Sequence, residues 1–365
     1  MTEQAKHIIL CVTNDLSYDQ RMQKTALSLV QLGFVVTLVG RKLKTSIPLQ
    51  AAGYKQHRLK CRFVKGVLFY LEFNIRLAYY LFLETFDTAT ACDLDTIIGV
   101  SIAGKIRRKT IVFDAHEYFT EVPELQGNPF KKWIWRRIEN YFVPLANKRY
   151  TVNPSLAGVM EDRMNCSFDV VENYPIKRPV QYKISPSRHH TLLYQGVLNE
   201  GRGLLELLTA MVQLKEVHCR IIGGGPLEDE IKLEIDKLGL EERVTLFGYV
   251  SPDEMWKYAE KASIGLNLLS GNSLNYYYSS ANKFYDYIQA GIPSINMSFP
   301  EYVRVNEIYE VAELVHDLSS QSIQNAVRNI LHEDKYRKMV DQCQRAAKGF
   351  IWEKNLDTLS KIYTT

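Results

Sequence analysis

Short β-branched apolar runs alternate with helix-length amphipathic segments from the start of this chain, and the alternation begins again after one interruption. "HIILCVT" (7–13) reads as a strand, "DQRMQKTALSLVQLG" (19–33) as a helix stopped by Gly33, and "FVVTLVG" (34–40) as the next strand. "FDTATAC" (86–92) and "TIVFDAH" (110–116) have the length of buried strands on either side of a helix at 96–108, and "RYTVN" (149–153) and "FDVVEN" (168–173) follow. Strands that are apolar on both faces need cover on both faces. The pattern therefore predicts a mostly parallel, doubly wound α/β sheet with helices on each side.

The interruption is "YPIKRPVQYKISPSRHH" (174–190), which holds three prolines, no clear period and several basic residues. After it come "TLLYQG" (191–196), a helix from Leu204, "HCRIIGG" (218–224), a helix from Leu227, "RVTLFG" (243–248), a helix from Asp253, "SIGLNLL" (263–269), the helical "SSANKFYDYIQAGIPSI" (279–295) and "IPSINM" (292–297). A chain of 365 residues is long enough for about two domains. The expected layout is a Rossmann-like domain at 1–175, a linker at 176–190, a second Rossmann-like domain at 191–345, and a C-terminal helix at 346–365. That last segment carries Phe350, Trp352, Leu356, Leu359 and Tyr363 and is expected to pack back across the junction. Such sheets bind ligands at the carboxyl ends of their strands, so two of them in tandem suggest a central cleft as the active site.

Composition narrows the partners. A net charge of +4 is too mild for a dedicated nucleic-acid binder, and 46% hydrophobic with 24% charged residues is ordinary for a globular protein. The six cysteines, at 11, 61, 92, 166, 219 and 343, show no C-x-x-C pairing, which points to neither a zinc site nor a disulfide framework but to a reducing compartment. No signal-peptide pattern opens the chain, so a cytoplasmic location is expected. "VLFYLEFNIRLAYYLFL" (67–83) is strongly apolar, but Glu72, Asn74 and Arg76 interrupt it where a membrane span would be uncharged. A basic run precedes it: Lys55, His57, Arg58, Lys60, Arg62 and Lys65. The plain reading is a buried helix after a solvated loop. The alternative is peripheral contact with an anionic membrane through residues 55–83, on its inner face.

Several turns could carry chemistry. Gly196, Gly201 and Gly203 in "YQGVLNEGRGLLELL" (194–208) would let backbone N–H groups approach an anion at a helix start, with Arg202 as a forked donor for phosphate. The alternative is a tight turn with a solvated arginine. "IIGGGPLEDEI" (221–231) repeats the design with Gly224 at its centre, and it fits neither the Walker nor the dinucleotide pattern. His116 ends a strand in "FDAHEYFTEVPEL" (113–125), where it could bond a substrate oxygen or act as acid or base near neutral pH, or simply be a structural histidine. Asp93 and Asp95 could hold a metal, but helix capping accounts for them more simply. Asn14, Asp15, Asp19 and Arg21 fall at the first strand-to-helix loop, with capping by Asp19 as the structural explanation.

Taken in order, the Gly/Arg loop, the G-G-G-P turn, the "FGYV" strand end and "NKFYDYIQAGIP" resemble family 4 retaining glycosyltransferases of the GT-B fold, the bacterial surface-polysaccharide type. The resemblance implies a nucleotide-diphosphate sugar as donor, UDP-sugar favoured, in the second domain. A saccharide or lipid-linked acceptor would sit in the first, on the side of Asn14, Asp15, Asp19 and Arg21. It implies no cofactor and no metal. It implies further that Arg202 clamps the diphosphate with Asn199 nearby, that Asn282 and Lys283 face the phosphates, and that Asp286 bonds the ribose. Tyr249 and Val250 would meet the base through their backbone, and His116 would lie beside the transferred sugar. One departure stands out: the E-x7-E pair of that family would place its first glutamate at position 278, which is Tyr278 here. A nucleotide-sugar 2-epimerase, or a non-catalytic nucleotide-sugar-binding protein, is the alternative.

Overall fold

The computed structural model describes residues 5–17, 19–178 and 190–364. It divides into two units: one runs to Asn173 and resumes at Asn355, and the other is Tyr174–Lys354. Most of the expected linker, residues 179–189, lies outside the described residues.

In the first unit the strands are β1 (His7–Cys11), β2 (Val35–Lys42), β3 (Lys55–Lys60), β4 (Thr88–Cys92), β5 (Thr110–Ala115), β6 (Lys148–Thr151) and β7 (Asp169–Val170). They form one parallel sheet in the order 3-2-1-4-5-6-7. This is the doubly wound order, whose switch point falls between β1 and β4. Ile8, Ile9, Leu10 and Cys11 of the central strand have no exposed surface, which is why the strand reads as a continuous apolar run. The basic run expected as a solvated loop is instead β3 over Lys55–Lys60. It is an edge strand, and charged side chains on an edge oppose pairing with foreign strands.

Four helices of this unit matter below: α1 (Gln20–Gln31), α2 (Val67–Leu83), α3 (Leu94–Ile106) and α4 (Pro129–Phe142). The polar residues that interrupt α2 each have a structural task. Glu72 accepts the backbone N–H groups of Arg62 and Phe63 and pairs with Arg76, while Asn74 bonds the Asp95 carbonyl at 2.7 Å and the Gly99 N–H at 2.8 Å. These bonds fix α2 to the loop before it and to α3. The expectation that α2 is buried holds for one face only. Phe69, Phe73, Leu77 and Leu81 enter the core, whereas Leu68, Leu71, Ile75, Tyr79 and Leu83 are exposed.

The second unit contains β8 (His190–Gln195), β9 (Val217–Ile222), β10 (Val244–Leu246), β11 (Ile264–Asn267), β12 (Ser294–Met297) and β13 (Ala312–Val315), all parallel in the order 10-9-8-11-12-13. Two of its helices carry site residues, α5 (Leu204–Met211) and α6 (Asn282–Ala290). Phe350 belongs to this unit's core. The C-terminal helix begins later than expected, as α7 (Leu356–Thr364), and belongs to the first unit. There the Tyr363 hydroxyl lies 2.9 Å from Thr90 Oγ1 and 3.2 Å from the Tyr150 hydroxyl, all buried.

Candidate functional site

Period-two alternation at the end of β5 puts Asp114 and His116 on the same side of the strand. His116 Nε2 lies 2.8 Å from Asp114 Oδ2, its backbone N–H donates to Asp93 Oδ1 at 2.8 Å, and its Nδ1 is 3.6 Å from Asp93 Oδ2. Arg21, in α1, donates from Nη2 to the other oxygen of Asp114 at 3.1 Å and from Nη1 to the Val171 carbonyl at 3.0 Å. Burial alone would depress His116, but Asp114 and Asp93 overcome it and raise the imidazole to about 9. Burial opposes ionisation of Asp114, yet Arg21 and His116 hold it at about 2. A histidine gripped in this way favours its charged form at neutral pH. The raised value favours the electrostatic reading of His116 over the acid/base one.

Asp93 was expected to cap α3, and its side chain makes no cap hydrogen bond. Its backbone has φ 58° and ψ 176°, a region that non-glycine residues seldom occupy and that costs about 1–3 kcal/mol. The contacts to His116 are what this strain accompanies. Asp95 instead accepts the Thr13 hydroxyl. Cys92 Sγ, Asp114 and His116 have ligand atoms within 4.8 Å of one another. As metal donors they fit poorly: burial pushes the Cys92 thiol well above its usual range, and Asp114 and His116 are bonded to each other, with Arg21 on the remaining oxygen.

The residues grouped at the first strand-to-helix loop separate. Asp19 caps α1, accepting the Met22 N–H at 3.1 Å, and Asn14 donates to its second oxygen. Asp15 is buried and paired with Arg58 at 2.5 Å. Burial opposes its ionisation, but Ser46, Ser17 and Arg58 bring it below the usual carboxylate range. Arg21 lies in α1 rather than in the loop and is a buried counter-charge to Asp114.

In the second unit the two glycine turns lock together. A Cβ on Gly223, at φ +134°, would sit 1.9 Å from the Gly196 carbonyl oxygen, and one on Gly203, at φ +65°, would meet Leu268 Cβ at 2.5 Å. No other residue fits either place. The turns place Arg202 ahead of α5 with its guanidinium 4.7 Å from the centre of the Tyr276 ring. Lys283, in the first turn of α6, is buried with Nζ 3.8 Å from the centre of the Tyr194 ring and near Gly196. Burial, then the neighbouring Arg202 charge, lowers Lys283 well below the ordinary lysine range against the pull of Asp286. Among the described residues neither cation has a carboxylate at ion-pair distance, and Arg202 Nε and Gln195 Oε1 are buried with no hydrogen-bond partner. A desolvated ammonium at Lys283 beside the half-buried guanidinium of Arg202 is unfavourable unless an anion joins them.

Lys283 and Asp286, expected to contact phosphate and ribose respectively, take separate partners. Asp286 receives Gln195 Nε2 at 2.8 Å. Asn282, which opens α6, is exposed, and Asn199 turns its side-chain oxygen to the Glu200 N–H. Tyr249 is 79% exposed and lies across Gly224, with its hydroxyl donating to the Gly224 carbonyl at 3.2 Å; Val250 is half-buried. Tyr278 is half-buried and edge-on to Tyr277 at 5.0 Å. Sequence reasoning missed Tyr194, Gln195 and Tyr276, because nothing in a strand or a tyrosine run says that it will underlie a cation. Asp114 could have been found from its spacing to His116.

Two parallel α/β units of this kind make up the GT-B fold, and solved structures of that fold superpose along nearly the whole chain. Sucrose-phosphate synthase from Thermosynechococcus elongatus is 15% identical with a TM-score of 0.81, covering 98% of each chain. Anabaena HepE in complex with UDP is 14% identical with a TM-score of 0.74 and the same coverage. A glycosyltransferase from Rickettsia africae is 14% identical with a TM-score of 0.73, covering 99% of this chain and 100% of its own. In sequence, residues 181–348 match the family glycosyl transferases group 1. No curated protein matches the sequence.

Proposed function

We propose that the chain is a retaining glycosyltransferase of family 4. It moves a sugar from a nucleotide-diphosphate sugar, UDP-sugar favoured, to a saccharide or lipid-linked saccharide acceptor in surface polysaccharide synthesis. The observation that carries this reading is the pair Arg202, half-buried, and Lys283, buried, two cations on tyrosine rings beside glycine turns and the N-termini of α5 and α6. A diphosphate supplies the charge they lack. As the glycosidic bond breaks through an oxocarbenium-like state, negative charge grows on the departing phosphate, where these cations and the helix dipoles stabilise it without a metal ion. Asp286, held by Gln195, accepts from the ribose hydroxyls, and His116 contributes positive charge on the acceptor side. The match of residues 181–348 supports the donor assignment, as does the UDP bound to HepE. The enzyme works in the cytoplasm, peripherally on the inner face of the membrane.

A melting-temperature screen with UDP-, GDP- and ADP-sugars tests the donor reading, since a ligand specific to the native state raises the transition. UDP-sugars are expected to give the largest rise; no rise with any nucleotide sugar sinks the proposal. Product analysis then separates the chemistry. Transfer with retained anomeric configuration that survives EDTA is expected, whereas an epimerised product formed without acceptor identifies an epimerase.

A further inference from the structure

The helix α2 is apolar on both faces, which in a soluble protein ordinarily means burial on both. Here the outer face stays open: Leu68, Leu71, Ile75, Tyr79 and Leu83 are each more than half exposed. A groove of about 800 Å³ runs between this face and β3, with Arg58 and Lys60 on its far wall. Lys55, Lys60, Arg62 and Lys65 are exposed around it, and none of them is in an ion pair among the described residues. Beside it stands α4, joined to α2 where Tyr70 meets Trp135 edge-on at 5.0 Å. This second helix also presents aromatic rings with cations: Phe130, Trp133 and Tyr141 are exposed, Lys131 is exposed and in no ion pair among the described residues, and Arg137 lies 5.3 Å from the Trp133 ring centre.

We infer that α2, the basic strand β3 and α4 together form the face by which this chain docks on an anionic lipid bilayer. Apolar side chains enter the acyl boundary, aromatic rings sit at headgroup depth, and unpaired lysines and arginines meet the lipid phosphates. Charge selects this occupant over a second copy of the chain, because a two-fold contact through the same patch would set basic rim against basic rim. It also fits the helix length, since no helix among the described residues is long and apolar enough to cross a membrane. The inference deepens the peripheral location proposed above and does not depend on the transfer reaction.

Vesicle flotation of the full chain tests it. The chain is expected to float with vesicles of phosphatidylcholine and phosphatidylglycerol, to float weakly with phosphatidylcholine alone, and to be released by added salt. Leu71→Glu with Ile75→Glu, and separately Lys60→Glu with Arg62→Glu, should each weaken binding by about tenfold or more, and Trp133→Ser by a smaller factor. All these positions are exposed, so an unchanged melting temperature and an unchanged response to UDP serve as controls. A wild-type chain that remains unbound with anionic vesicles overturns the inference. So do variants that float like the wild type, or a dimer that Leu71→Glu with Ile75→Glu converts to monomer.

Discussion

The strand-end cluster of the first unit and that of the second both collect buried charge, and they treat it in opposite ways. Around His116 the main charges are answered within the protein: Arg21 faces Asp114 and Asp114 faces His116, while burial holds the neighbouring Asp93 carboxyl well above the usual carboxylate range. Around Lys283 the charges are left on aromatic faces, with carboxylate help only at a distance. The first arrangement stabilises the fold and fixes an electrostatic field. The second costs stability, which a bound anion would offset on the reading proposed above. A closed network and an unbalanced one can thus be told apart by what each loses on mutation.

The largest expected effect is on the closed side. Asp114→Asn strips the buried Arg21 of its counter-charge and should destabilise the chain by about 3–5 kcal/mol, read from urea unfolding. Lys283→Met should do the reverse in kind. UDP affinity falls by about 1.5–3 kcal/mol in calorimetry, while the melting temperature of the free protein stays level or rises, because a desolvated ammonium has been removed. If Lys283→Met is as destabilising as Asp114→Asn, the comparison fails.

Titration should separate the clusters further. The folded pKa of His116, about 9, lies above its unfolded value near 6.5. Its contribution is therefore complete below about pH 6.5 and is lost as pH rises through about 9, on the order of 3 kcal/mol. Urea midpoints of wild type and His116→Gln at pH 7 and pH 10 should converge at the higher pH. The smallest effect lies on the unbalanced side. Lys283 is depressed in the free protein and a diphosphate would raise it again, so UDP binding should take up a fraction of a proton and weaken as pH rises above the free-state value. Calorimetry in buffers of different ionisation enthalpy measures that uptake; a heat independent of buffer would place the lysine's proton elsewhere.

The alternation that revealed two α/β units was legible because central parallel strands are apolar on both faces, as β1 shows. Edges were not legible. Lys55–Lys60 lacks apolar alternation because an edge strand is half solvated, and Ala312–Val315 is too short to stand out. The outer face of α2 was misread for a related reason: composition shows that a face is apolar but not whether the protein covers it. Within the second unit, glycine and basic residues at strand ends marked the turns correctly. The tyrosines beneath them left no pattern, since a ring under a cation is selected by tertiary proximity and not by spacing. Asp93 is the clearest limit, because its side chain would cap a helix in almost any local reading and is diverted by a contact with a residue on another strand.

The return of α7 to the first unit bears on how the chain is made. Synthesis proceeds from the N-terminus and domains generally fold as they emerge, yet the hydroxyl of Tyr363 completes a buried cluster with Thr90 and Tyr150. The unit that leaves the ribosome first is therefore the one finished last. A fragment cut after residue 173 would expose the seat of α7, whereas a circular permutant that joins this helix to the start of the chain would let the unit close on its own. Lys6 Nζ, just before β1, already reaches the Thr364 carbonyl in α7 at 2.7 Å.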